Sequence, residues 1–411
     1  MFRIGMIGAG FVAGFHTRAL QSVRGAQLIA VCAPKGAPEL AKTAREGGLG
    51  DARICESVAE LCSAVDIACI FAPNPARVEI MREIAKACEN GAKLKGIICE
   101  KPLARNLKEA DILARMARAL HIPNAYFENQ LHMPSVSHAR RQLAGVEEAM
   151  GPVHLARSAE EHGGPHESWF WDPTTQGGGV CCDMGCHSIA VGMYMLTPGG
   201  KPPDHLTPIS VTANMALLKW GKEPWISRLA ERGVDYSKTP AEDYSNVTIE
   251  FKDPESGIRG VAQATNSWMY DAPGLRLLME AFGPGYSYSV DSLSSPAGLF
   301  ISDAAAAAVA DAELALEKAQ ASRGCLILQP NEADLYGYVA EWRDALSAFK
   351  NGRDAMLNFE YGRLVTMLVM AAYMAHETRR TIDLTKAAVL EKLETYVPLI
   401  QRGKGQRVLG R

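Results

Sequence analysis

The chain has no C-x-x-C pair, no run of about 18 apolar residues and no marked excess of either charge. Each absence excludes a class. Without paired cysteines, a zinc ribbon or a thioredoxin-like centre has no ligands. Without a long apolar run, no membrane-spanning helix is expected. A net charge of −3, from 43 basic and 46 acidic residues, gives neither a basic footprint for nucleic acid nor a polybasic membrane patch. No stretch of signal-peptide character precedes the first glycines, so a reducing, cytoplasmic setting is expected. No internal repeat and no disordered linker is visible. What is present is 411 residues, 47% hydrophobic and 22% charged, enough for more than one core and too apolar for a disordered chain. The ten cysteines, several inside apolar runs (Cys69, Cys99), read as small buried hydrophobes. A soluble enzyme or small-molecule binder fits this composition.

The first 130 residues alternate short apolar runs with helical stretches. Strands are predicted at 2–7, 26–32, 67–72, 94–99 and 125–127, and helices at 11–22, 37–46, 76–90 and 107–120. This spacing means βαβ units and a parallel, doubly wound α/β sheet. Beyond it, longer strands at 152–159, 209–220, 247–252, 259–268 and 275–282 follow one another without a helix between each pair. They predict an α+β domain with a mostly antiparallel sheet. The expected division is a dinucleotide-binding domain at 1–128 and a substrate-binding and oligomerisation domain at 129–411. Insertions are expected near 221–240 and 302–324, the second reading as a solvated or oligomer-contact helix, and 361–378 as an amphipathic helix.

The first strand runs into Gly8-Ala9-Gly10-Phe11-Val12-Ala13. This is a G-x-G-x-x-A turn between strand and helix, the context in which such glycines cradle a pyrophosphate at a helix N-terminus. The second strand ends Val31-Cys32-Ala33-Pro34-Lys35, with no carboxylate where one would grip the adenosine ribose. Lys35 is placed to contact a 2′-phosphate, so NAD and NADP both stay open. Glu100-Lys101-Pro102 follows the strand at 94–99, at the carboxyl end where ligands of such sheets bind. Further on, Gly177-Gly178-Gly179 leads to Asp183 and His187, four residues apart and on one face if the stretch is helical. A histidine there can take a hydroxyl proton. On spacing alone the pair also suits a helix cap and a structural histidine.

Together these motifs are more specific. With Ala72-Pro73-Asn74-Pro75, Glu242-Asp243-Tyr244 and the turn at 283–291, the chain resembles the Gfo/Idh/MocA oxidoreductases over nearly its whole length. The resemblance implies that Lys101, Asp183 and His187 form the catalytic centre. It implies that Gly8, Gly10, Phe11, Val12, Ala33, Lys35, Pro73, Asn74, Glu100 and Lys101 hold NAD or NADP. Arg77 departs from it, standing where many members carry a histidine, and both insertions are atypical. Asn129 after the last Rossmann strand and the segment with His162, His166, Trp169 and Trp171 are expected to meet substrate beside Asp183 and His187. The two tryptophans equally suit a core, and Asn129 equally suits interdomain hydrogen bonding. His162, His166, Asp183 and His187 are metal-ligand types, but their spacing is no zinc signature and no metal is expected.

The leading functional reading is an NAD(P)-dependent dehydrogenase for a secondary hydroxyl of a sugar, glycoside or cyclitol. A second is a glycosidase or lyase that keeps NAD bound and oxidises the sugar transiently to permit elimination. A third, disfavoured by the intact Lys101, Asp183 and His187 set, is a non-catalytic dinucleotide-binding regulator. A homodimer or homotetramer through the second domain's sheet is expected.

Overall fold

The computed structural model describes residues 1–271, 274–292, 298–301, 324–327 and 331–410. They form two compact units, Met1–Pro134 with Ala333–Met367 and Ser135–Glu332 with Leu368–Arg411.

The first unit carries β1 (Phe2–Ile7), β2 (Ala26–Cys32), β3 (Arg53–Ile54), β4 (Ile67–Ile70), β5 (Gly96–Glu100) and β6 (Asn124–Phe127). Their order is β3-β2-β1-β4-β5-β6 and every pairing is parallel. β4 and β5 are buried at every residue, as a sheet covered on both faces requires. The helices between them are α1 (Phe11–Leu20), α2 (Ala37–Glu46), α3 (Val58–Ala64), α4 (Arg77–Glu89) and α5 (Leu107–Leu120). α5 buries Leu107, Ala110, Leu113, Ala114 and Ala117, a single helical stripe, and opens on an N-cap in which the Asn106 side chain accepts from the Glu109 N–H at 3.1 Å. Strand order reverses between β1 and β4, so the loop after β1 lies at the switch point where ligands of such sheets sit.

This unit takes back residues 333–367, which the sequence reading assigned to the second domain. The helix Tyr338–Lys350 was not anticipated. It buries Val339, Trp342 and Ala345 completely. A Cβ on Gly96 of β5 would lie 2.3 Å from the Phe349 ring, so the glycine makes room for that helix.

The second unit begins with α6 (Pro134–Met150), also not anticipated, whose buried face is Val136, Ala139, Arg140 and Leu143. Its seven-stranded sheet contains β7 (Leu155–Glu161), β8 (Thr207–Ala216), β9 (Tyr244–Lys252), β10 (Arg259–Ser267), β11 (Arg276–Gly283), β12 (Tyr286–Asp291) and β15 (Ile382–Asp383), in the order β12-β11-β7-β10-β9-β8-β15. β7 and β10 pair in parallel and the other neighbours are antiparallel, so the sheet is mixed but mostly antiparallel, as expected. β9 alternates buried with half-buried residues, and the helix Cys186–Leu196 packs against β7 and β10. A separate two-stranded antiparallel sheet pairs β13 (Gly298–Ile301) with β14 (Gly324–Ile327).

Two expectations need correction or restriction. The stretch Pro173–Leu196 is apolar and long enough for a membrane span, contrary to the sequence reading, but 94% of its most apolar window is buried inside the unit as a core helix. The helix expected at 302–324 lies outside the described residues. The stretch 221–240 is described and carries a helix, Trp225–Glu231.

Candidate active site

In the first unit the turn after β1 is built by close backbone approach. Gly8 has φ +109°, and a Cβ there would lie 2.7 Å from the Ala72 nitrogen and the Phe71 carbonyl. Gly36, at φ +78°, similarly admits the Ala9 carbonyl, which a Cβ would meet at 2.8 Å. A Cβ on Gly10 would meet nothing within 4 Å. Gly10 is the N-cap of α1, and neither a capping side chain nor an acidic residue occupies that first turn. An open cradle at a helix N-terminus is what a pyrophosphate requires, so the residues present fit a dinucleotide. Phe11 is exposed, Val12 and Ala33 are half-buried, and Lys35 is exposed beyond β2. Pro73 is exposed and Asn74 buried in the turn after β4.

Glu100 ends β5 and is buried. Its Oε1 lies 2.9 Å from His16 Nε2, while His16 Nδ1 accepts from the Trp342 indole N–H at 3.0 Å. The indole can only donate, so His16 carries its proton on Nε2 and donates it to Glu100. Burial works against the Glu100 charge, but the His16 hydrogen bond and the nearby Lys101 and Arg77 hold its pKa below the ordinary carboxylate range. A fixed anion therefore stands beside Lys101, whose N–H donates to the Phe127 carbonyl at 3.1 Å. Sequence reasoning missed His16 and Trp342. His16 sits three residues past Ala13, inside a helix that reads as ordinary. Asn129 donates to the Tyr336 carbonyl at 2.7 Å and is buried, which is a structural bond within this unit.

In the second unit the glycine triplet has a steric cause. A Cβ on Gly178 would meet the Tyr373 hydroxyl at 1.9 Å, and one on Gly179 would meet the Glu242 carbonyl at 2.1 Å. Glu242 is fully buried, and its Oε1 accepts from Gly179 N–H at 3.0 Å, Cys181 N–H at 3.1 Å and Tyr373 O–H at 2.5 Å. The chain entering the Asp183 turn is thus fastened to the start of β9 and to the helix Phe359–Thr378. That turn, Cys181–Gly185, is π-helical rather than α-helical, and His187 is the second residue of the helix Cys186–Leu196. π turns recur at functional sites because they re-aim side chains. Asp183 and His187 are both buried. His162 is fully buried, and its Nδ1 accepts from the Gly164 N–H at 2.9 Å. Its Nε2 proton then faces Asp183 Oδ2 at 4.0 Å.

The aromatic segment divides. Trp171 is 1% exposed, packs against Trp220, Tyr236 and Trp268, and donates to the Pro165 carbonyl at 3.2 Å. It is a core residue of this unit. Trp169 is half-buried against Phe170, and His166 is exposed. Cys181 is an inert thiol, its pKa pushed up by burial. Among the described residues, no three His, Cys, Asp or Glu side chains converge as metal ligands.

Burial raises the Glu242 pKa from 4.5 to about 7, against the bonds from Tyr373, Cys181 and Gly179. The folded chain therefore holds this proton more tightly than the unfolded chain. The stability this contributes is full below the unfolded value and is lost as pH rises through about 7. The change is about 3 kcal/mol. Glu242→Gln is expected to remove that slope, measured as urea unfolding free energies of both proteins at about pH 5 and about pH 8. Equal slopes would contradict the assignment.

Comparison with known proteins decides the family. Residues 2–123 match the oxidoreductase family with an NAD-binding Rossmann fold, and residues 138–283 match the GFO/IDH/MocA C-terminal domain. The chain belongs to the Gfo/Idh/MocA family. Its first unit is the family's NAD-binding Rossmann fold. Among Gfo/Idh/MocA relatives, the glucose-6-phosphate 3-dehydrogenase of Bacillus subtilis (strain 168) is 33% identical over 124 residues, 30% of this chain and 32% of the relative. The D-glucoside 3-dehydrogenase of Escherichia coli (strain K12) is 28% identical over 200 residues, 47% of this chain and 54% of the relative. The matches thus span about half or less of these curated relatives. The crystal structure of GenD2 from gentamicin A biosynthesis, in complex with NAD, superposes with a TM-score of 0.73 at 24% identity, covering 93% of this chain and 96% of that one. That likeness shows a shared fold.

Proposed function

We propose that the protein is an NAD-dependent dehydrogenase that oxidises a secondary ring hydroxyl of a sugar, glycoside or cyclitol, and C3 where the ring is glucose. The observation that carries this is the Asp183–His187 turn, fastened by Glu242 and Tyr373 in a family of NAD-binding oxidoreductases. Two relatives whose names specify 3-dehydrogenation support the choice of carbon.

NAD, when bound, supplies the hydride acceptor. The chain's own residues do the rest. His187 takes the hydroxyl proton as the C–H bond breaks. Lys101, next in sequence to the Glu100 anion, supplies positive charge for the negative charge that develops as the alcohol is oxidised. Asp183, backed by the His162 N–H, binds a neighbouring hydroxyl and orients His187. Trp169 and His166 lie on the segment before the glycine triplet and are proposed to contact the ring.

The test is a panel of D-glucose, D-glucose 6-phosphate, methyl D-glucoside and myo-inositol with NAD. Stoichiometric NADH with at least one member is expected. Aglycone release without net NADH, or no turnover with tight NAD binding, would contradict the reading.

No carboxylate ends β2, so NADP is not repelled there. We propose that NAD is preferred over NADP only modestly. Ala33→Asp is expected to raise the ratio of NADP Kd to NAD Kd by about tenfold or more, by restoring a ribose acceptor that repels the 2′-phosphate. An unchanged ratio in a titration of both cofactors would sink this. A homo-oligomer formed through the second unit's half-exposed sheet face and a cytoplasmic location complete the proposal. The free thiols among the described cysteines suit a reducing compartment.

A further inference from the structure

Arg77 opens α4 and is 4% exposed. A buried guanidinium needs partners. Here its hydrogen bonds go to main-chain oxygens: Nε to Ala72 at 3.1 Å, Nη1 to Glu100 at 2.5 Å and to Pro102, and Nη2 to Lys101 at 3.4 Å. Three of these four acceptors are the consecutive carbonyls of residues 100–102, and the fourth, that of Ala72, lies in the loop after β4 that also meets Gly8. The backbone of Lys101 is thereby held at both ends, its N–H by the Phe127 carbonyl and its C=O by Arg77.

We infer that Arg77 is a positioning residue that fixes Lys101 by clamping the Glu100–Lys101–Pro102 turn to the loop after β4. This rests on the proposed role of Lys101. An imidazole has at most two N–H groups and could not span these acceptors. An ammonium has its donors on one atom and cannot reproduce the planar fork. Arg77→Lys therefore keeps the buried charge while releasing part of the turn. A displacement of about 1 Å at a reacting group can cost about 10² in rate.

The experiment compares Arg77→Lys, Arg77→Ala with and without added guanidinium chloride, and Lys101→Met. It reads NAD affinity, thermal midpoint, and kcat and KM on the best sugar of the panel. Arg77→Lys is expected to fold and to bind NAD within about twofold of the parent, with unchanged KM and kcat lower by about 10². Guanidinium is expected to restore part of the kcat of Arg77→Ala at unchanged NAD affinity. The inference is overturned if Arg77→Lys turns over like the parent while Lys101→Met is slow, an outcome that leaves the Lys101 reading intact. It is also overturned if NAD affinity or the thermal midpoint of Arg77→Lys falls along with kcat, which would make Arg77 a fold or cofactor residue. A fast Lys101→Met would remove the Lys101 reading itself and the inference with it.

Discussion

Replacing His187 with alanine is expected to lower kcat by about 10²- to 10⁴-fold while leaving the NAD Kd within about twofold. The size follows from the chemistry. Hydride cannot leave an alcohol carbon efficiently while the oxygen keeps its proton, and no base in water near neutrality substitutes for one aligned with that oxygen. The split follows from the fold. His187 belongs to the second unit, on the helix Cys186–Leu196, whereas the glycine cradle at Gly8 and Gly10 belongs to the first. His187→Gln fills the same space without a basic nitrogen and should fail equally, which separates proton transfer from packing. Steady-state kinetics together with NAD titration checks both halves. A rate near that of the parent would remove His187 from the mechanism, and a parallel loss of NAD affinity would recast it as a residue that supports the fold.

The second large effect is expected from a single methyl group. In Gly179→Ala the new Cβ would stand 2.1 Å from the Glu242 carbonyl oxygen and 2.8 Å from the Glu242 carboxyl carbon. No side-chain rotation relieves a clash with backbone. The turn must lift away from β9, which breaks the bonds from Gly179 and Cys181 to Glu242 and moves Asp183. Overpacking combined with a stranded buried carboxyl should cost about 3 kcal/mol or more. Activity should fall with it, because Asp183 lies four residues further on. Urea unfolding at fixed pH gives the first number and turnover the second. Glu242→Gln keeps an acceptor oxygen for the same donors and should leave the protein folded, so loss of fold in Gly179→Ala alone would trace to the collision. A stable, active Gly179→Ala would show that the triplet is an ordinary flexible turn.

The Rossmann half was legible because its signals are local. Apolar runs such as β4 and β5 and the Gly8–Gly10 turn each announce themselves within a few residues. Five strands of the second unit's sheet were legible for the same reason, with ends misplaced by only a few residues, whereas β13, β14 and β15 were not predicted. What escaped depends on distant partners. The helix Tyr338–Lys350 belongs to the first unit because Phe349 needs the space left by Gly96 and Trp342 needs His16 as acceptor, across more than 250 residues of chain. The triplet Gly177–Gly179 was visible as a turn, but its cause, Glu242 and Tyr373, lies 63 and 194 residues away from Gly179. The π turn at Cys181–Gly185 leaves no pattern in sequence that an α-helix would not also leave. Trp171 could as well have been a sugar platform, and only its contacts with three other buried aromatics place it in the core. Arg77 was noticed as a departure from the family pattern, and its four carbonyl partners supply the physical reason for attention to it.

The central claim is that hydride passes directly from a ring carbon of a sugar to NAD. It is tested most directly by incubating the protein with NAD and methyl D-glucoside deuterated at C3, then isolating the cofactor for mass spectrometry. The account predicts reduced cofactor carrying one deuterium, formed in step with a 3-keto glycoside and more slowly than from unlabelled substrate. Methanol release with no net reduced cofactor, or reduced cofactor free of deuterium, would contradict it.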